Sequence, residues 1–179
     1  MAGDHHFGSF GAPLPEARTP AAVLVPVVDR ADPGLLLTRR TAHMRAHAGQ
    51  IAFPGGRVDP EDDGPVAAAL REAQEEIGLD PAGVRVLGIA DGWRTGTGYA
   101  ITPVVGVIEP GAAYLPNPDE VDAVFEVRLA HVLDPANHQL RETVWQGAPR
   151  RYYVIEADGW EIWGATAGMI VNLSRRLGC

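Results

Sequence analysis

The sequence predicts one layered α/β or α+β domain, and three observations predict it. Runs of aliphatic and β-branched residues recur along the chain between turns rich in Gly, Pro and Asp. Two amphipathic helical patterns lie far apart, one before the middle and one at the end. The 179 residues, 46% hydrophobic and 21% charged, suit a single soluble domain with a sizeable core. Several strands with two well-separated helices bury their apolar faces by stacking in layers.

Residues 1–19 are rich in Gly, Pro and small side chains and read as a flexible arm ahead of one domain over 20–179. His5 and His6 lie in that arm. A metal site needs further ligands fixed around such a pair, so an exposed pair is the expectation. AAVLVPVV, 21–28, and GLLLTRR, 34–40, read as strands joined by the turn RADPG. VAAALREAQEEI, 66–77, is the clearest helix. Its Val66, Ala69, Leu70, Ala73 and Ile77 recur at spacings of three and four and form one stripe. Asp63 is the expected N-cap, Pro65 suits the first turn, and Gly78 marks the stop. VRVLGIA (84–90), ITPVVGVI (101–108) and VDAVFEVRL (121–129) are further strands. RRYYVIEA and WEIWG form a hairpin, and ATAGMIVNLSRRL closes the chain as a second helix burying Ala167, Ile170, Val171, Leu173 and Leu177.

Composition narrows the function. A net charge of -8 argues against a general binder of nucleic acid or anionic membrane. A phosphorylated substrate stays open, because a divalent metal or a local basic patch reverses the field at a site. All 15 basic residues are arginine, which removes lysine nucleophiles and Schiff-base chemistry. The only cysteine, Cys179, excludes an intrachain disulfide and an all-cysteine zinc site. No basic segment followed by an apolar run opens the chain, and no apolar stretch reaches the roughly 20 residues that span a bilayer. A cytoplasmic enzyme is the expectation.

The end of the first helix is electrostatically unfavourable. REAQEEIG, 71–78, places Glu72, Glu75 and Glu76 within one and a half turns. Like charges three and four apart repel, and the last turn favours cations. At about 100° per residue the three carboxylates cover an arc of roughly 100° beside the apolar stripe. A rigid helix presenting oxygens to one side is a good holder for a hard cation. Arg71 lies four residues before Glu75 and can pair with it, as support for the site or as an ordinary helix ion pair. Upstream, FPGGRVDPEDDGP combines Gly55 and Gly56, which permit close backbone approach, with Asp59, Glu61, Asp62 and Asp63.

Gly56, Asp63 and Arg71-Glu72-Ala73-Gln74-Glu75-Glu76-Ile77-Gly78-Leu79 resemble the Nudix box, G-x5-E-x7-R-E-U-x-E-E-x-G-U with U bulky and apolar. The second half departs only at the small Ala73. In the first half six residues separate Gly56 from the acid, which is Asp63. LLTRRTAHMRAHAGQIAFPGG, 36–56, is similar to the segment that marks coenzyme A pyrophosphatases among Nudix enzymes, L-L-T-x-R-[SA]-x3-R-x3-G-x3-F-P-G-G. Only Thr41, at the Ser/Ala position, departs. NPDEV before a strand and IWGATA opening the last helix also resemble that subgroup.

The resemblance implies an α/β/α sandwich around a mixed β-sheet, with the box as a loop-helix-loop. It implies Mg²⁺ or Mn²⁺ on Glu72 and Glu76, with Glu75 next and the Gly56 carbonyl as a further ligand. Asp63 would be the supporting acid of the box as well as the helix cap. It leaves the base that takes the water's proton as either Glu75 or Glu120 of NPDEV, where a loop before a strand could swing over the site. Arg40 and Arg45, leading into Gly55 and Gly56, would bind substrate, including the 3′-phosphate of coenzyme A, since the planar guanidinium suits phosphate. His43 and His47 are read as structural or surface residues. Trp93, Tyr99 and Trp163 are read as core rather than as platforms for adenine. The implied partner is a small molecule, coenzyme A or a related nucleoside diphosphate such as ADP-ribose, NADH or an oxidised nucleotide; a homodimer stays open. A non-catalytic module on the same fold would be expected to lose the glutamates that this chain keeps.

Overall fold

The computed structural model describes residues 19–42, 48–145 and 148–179. In order they form β1 (Thr19–Val28), β2 (Gly34–Arg40), β3 (Ile51–Ala52), β4 (Gly55–Arg57), α1 (Gly64–Ile77), β5 (Val84–Ile89), β6 (Trp93–Arg94) and β7 (Tyr99–Ile108). β8 (Val121–Arg128), α2 (Leu129–Leu133), β9 (Gln139–Trp145), β10 (Ala148–Ala157), β11 (Trp160–Trp163) and α3 (Gly164–Leu177) follow. The arm over 1–18, with His5 and His6, and the segment 43–47, with His43, Arg45 and His47, lie outside the described residues.

β1 and β7 pair in parallel along their whole length, from Thr19 opposite Tyr99 to Val28 opposite Ile108. Every other pairing in the main sheet is antiparallel, which makes the sheet mixed. β1 and β2 meet only at Val27–Leu35 and Val28–Gly34 and then part. The gap is filled from within the chain: β3 pairs with β2, β4 pairs with β1, and the Leu24 N–H donates to the Pro54 carbonyl at 2.8 Å. This splay opens the central sheet beside Gly55 and Gly56.

Alternation along β1 divides the core in two. Ala22, Leu24 and Val28 pack with Leu36, Val104 and the α1 residues Ala68, Ala69, Ala73 and Ile77. Val25, with Leu35, Leu37 and Phe53, packs against α3 and the small sheet of β9, β10 and β11. The mixed sheet thus lies between α1 on one face and α3 on the other, the expected sandwich, with an added three-stranded sheet in the second outer layer.

Most predicted elements appear within two or three residues of their expected bounds. The sequence pattern does not predict β3, β4, β6, β9 and α2. Leu177, expected to be buried, is exposed because α3 ends there at Gly178. Trp93 is core and lies against Gly168, where a Cβ would collide with its ring. Trp163 is 41% exposed, edge-on to Tyr152, and is not core. Among the described residues no helix is long and apolar enough to cross a membrane.

Candidate active site

Helix α1 carries the acidic cluster and is anchored by the alanine-rich stripe packed on the sheet. Gly78 ends it in the left-handed region, at φ 69°, where glycine adds no steric penalty. Its N–H donates to the Gln74 carbonyl at 2.9 Å. The last-turn carbonyls of Glu76 and Ile77 accept from the N–H groups of Asn117 and Leu115, both at 2.8 Å. Those contacts seat the loop before β8 on the C-terminal end of α1.

Glu76 is the most enclosed of the three glutamates, with 3% of its side chain exposed. One carboxylate oxygen accepts from the Gly55 N–H at 3.1 Å, and the other faces the Arg40 Nη1 at 3.2 Å. Burial pushes its carboxyl up to about 7, against the opposing pull of Gly55 and Arg40, and the charges of Glu120 and Glu72 push the same way. Glu72 lies one turn earlier, 17% exposed, against the backbone of Gly56. A Cβ at Gly56 would meet the Glu72 carboxylate at 2.5 Å, so any larger residue there would displace that carboxylate. Burial raises the Glu72 carboxyl as well, opposed by Arg71 and reinforced by Glu75 and Glu120.

Glu75 points elsewhere. Its side chain is 59% exposed and pairs with Arg71 at 3.0 Å, the expected spacing of four. Arg71 is the hub of the helix start. It donates to both oxygens of Asp62, at 2.9 and 3.0 Å, to Glu72 at 3.0 Å and to the Arg57 carbonyl at 3.1 Å. The guanidinium holds the Asp62 carboxyl below the usual carboxylate range.

These contacts bear on several sequence assignments. Asp63 occupies the cap position, but its carboxylate makes no cap bond. The acid that Arg71 holds is Asp62, which also accepts the Asp59 N–H at 2.8 Å. Five residues then separate Gly56 from the acid, as the box requires, and the extra residue falls between the acid and Arg71. Arg40, expected at a substrate phosphate, has its guanidinium at Glu76. Glu120 is half-buried, and its charge reaches both Glu72 and Glu76. Its loop, which could swing over the site, is tied to α1 and to Thr41 by hydrogen bonds. Arg45 lies outside the described residues.

The donor set fits a hard divalent cation. Glu72 and Glu76 are one helical turn apart and both raised by burial, the Glu72 charge raises Glu76 further, and Glu120 acts on both. Among the described residues no three His, Cys, Asp or Glu side chains stand close enough to form a cage on their own. Mg²⁺ typically takes one or two carboxylates and completes its shell with water and substrate phosphates.

The family model of the NUDIX domain matches residues 18–148. The chain is 46% identical over 158 residues to the uncharacterized Nudix hydrolase NudL of Escherichia coli K12, covering 88% of this chain and 82% of that one. Among solved structures, the Nudix hydrolase RenU of M. smegmatis superposes with a TM-score of 0.55 at 22% identity, over 70% of this chain and 80% of that one. A MutT/nudix family protein from Enterococcus faecalis does so at 0.54 and 18%, over 94% and 66%. These two likenesses concern the fold. The chain belongs to the Nudix hydrolases, and it is an enzyme of the pyrophosphatase kind. Enzymes of this family generally use divalent ions such as Mg²⁺ or Mn²⁺.

Proposed function

We propose that the enzyme is a cytoplasmic, Mg²⁺- or Mn²⁺-dependent pyrophosphohydrolase of coenzyme A or its thioesters. The observation that carries the hydrolytic part is the enclosure of Glu72 and Glu76 against the Gly55–Gly56 turn, within reach of the Glu120 charge. The substrate rests on the 36–56 segment and its similarity to coenzyme A pyrophosphatases.

Glu72 and Glu76 would hold the cation, with the Gly55 N–H fixing one oxygen of Glu76. When bound, the cation offsets the charge of the diphosphate and lowers the pKa of the attacking water. Arg40, tethered to Glu76, would face the diphosphate rather than a distant phosphate. Glu120 is favoured over Glu75 as the base, because Glu75 turns outward to Arg71 and Glu120 acts on the two enclosed glutamates. Glu120 would accept the water's proton as the new P–O bond forms and the P–O–P bridge breaks. The products are 3′,5′-ADP and 4′-phosphopantetheine or its acyl form. Arg45 remains the proposed reader of the 3′-phosphate.

Product analysis by mass spectrometry tests this. Purified protein with Mg²⁺ is offered coenzyme A, dephospho-coenzyme A, ADP-ribose, NADH and 8-oxo-dGTP at equal concentration. The expected result is preferred cleavage of coenzyme A to 3′,5′-ADP, lost in Glu76→Gln. Arg45→Ala should lose far more on coenzyme A than on dephospho-coenzyme A. Preferred cleavage of another compound would discard the substrate assignment, and an active Glu76→Gln would discard the site.

A further inference from the structure

Glu120 comes from a loop distant in sequence from α1, so something must fix its distance from the helix glutamates. The contacts around β2 supply a candidate. Its last residue, Arg40, holds Glu76 through its side chain. The next residue, Thr41, holds the opposite wall: its N–H donates to the Glu120 carbonyl at 2.9 Å and its hydroxyl to the Asp119 carbonyl at 3.2 Å. Thr41 is buried, 7% exposed, so those bonds are shielded from competing water.

The register of β2 against β8 explains the reach. Arg39 lies opposite Ala123, and Arg40 lies opposite Val121. The pairing skips Asp122, a bulge of the kind that re-aims neighbouring side chains. The loop is closed on its other side by Asn117, whose N–H is bound to the Glu76 carbonyl and whose own carbonyl accepts from Glu120 and Val121 at 3.0 and 2.8 Å. The Asn117 side chain accepts the Asp119 N–H at 3.1 Å. One short span, 117–121, therefore bridges the end of α1 and the end of β2.

We propose that Thr41 is a positioning residue, whose hydroxyl and N–H hold Glu120 at a fixed distance from Glu72 and Glu76. The proposal rests on the functional reading of Glu120 above. It makes the acid loop a rigid wall of the site, joined through Thr41 to the end of β2, where the neighbouring Arg40 restrains Glu76.

The experiment compares Thr41→Val, which removes the hydroxyl at similar volume, with Thr41→Ser, which keeps it. Steady-state hydrolysis of the best substrate of the panel above gives kcat and KM, and amide hydrogen exchange follows residues 117–121. In Thr41→Val, kcat should fall about tenfold with KM held within roughly twofold, as expected for small misplacements of a reacting group. Exchange at the Glu120 and Val121 amides should quicken about tenfold, the factor that loss of one net hydrogen bond corresponds to. Thr41→Ser should restore both. Wild-type kcat in Thr41→Val, or Thr41→Ser no better than Thr41→Val, would overturn the proposal. If the wild type cleaves none of the panel, the functional reading falls, and the exchange comparison alone decides whether Thr41 holds the loop.

Discussion

Helices α1 and α3 are near twins with opposite electrostatics. Each has 14 residues and ends in a left-handed glycine, Gly78 at φ 69° and Gly178 at φ 75°. α3 follows the rule for its last turn, with Arg175 and Arg176 facing the negative end of the macrodipole. α1 breaks it, placing Glu75 and Glu76 there with no base in the turn. The same backbone device therefore serves two ends. In α3 the sequence is tuned for stability, and in α1 it spends stability on a cluster that a bound cation would neutralise.

The largest contrast should come from the arginines. Arg71→Ala strips the hydrogen bonds to Asp62, Glu72 and Glu75; hydrogen bonds to charged groups contribute about 1.5–3 kcal/mol each, and less where solvent screens them. A net loss of about 2 kcal/mol lowers Tm by roughly 4–8 °C in a domain of this size. Arg175→Ala removes the bond to the Tyr153 hydroxyl and a contact with that ring, and should cost about half as much. Thermal unfolding of the two variants checks the order, and equal losses would break the contrast.

A smaller effect sharpens it through pH. The Glu76 carboxyl is raised from 4.5 to about 7 in the folded protein. The folded state therefore binds this proton more tightly than the unfolded one. Its contribution is complete below pH 4.5 and is lost as pH rises to about 7. With metal removed by EDTA at pH 8, Glu76→Gln should be more stable than wild type, by on the order of 2 kcal/mol. At pH 4 the difference should shrink towards zero. Chemical denaturation at the two pH values measures it, and a variant less stable at pH 8 would oppose this account.

Much of the site was legible because helical spacing is short-range. Positions 72 and 76, one turn apart on a helix with an apolar stripe, must lie on one side of it wherever the helix packs. The acid was harder to read. Asp62 and Asp63 are neighbours in sequence, and only the reach of the Arg71 fork distinguishes them. The role of Arg40 depends on the splay of β1 from β2, which brings the end of β2 beside Glu76 across 36 residues. β3 and β4 are two and three residues long, too short for periodicity, and Gly55–Gly56 reads as a turn. The Glu120 tether depends on long-range backbone bonds that no local pattern encodes.

We propose that Glu76, and not Glu75, holds the cation. Mn²⁺ titration followed by electron paramagnetic resonance, in wild type, Glu76→Gln and Glu75→Gln, tests it most directly. Affinity should fall at least about tenfold in Glu76→Gln, no less than is seen when groups that merely support a metal ligand are removed. In Glu75→Gln it should stay within roughly twofold, as for an exposed ion pair. Wild-type affinity in Glu76→Gln, or a greater loss in Glu75→Gln, would contradict the account.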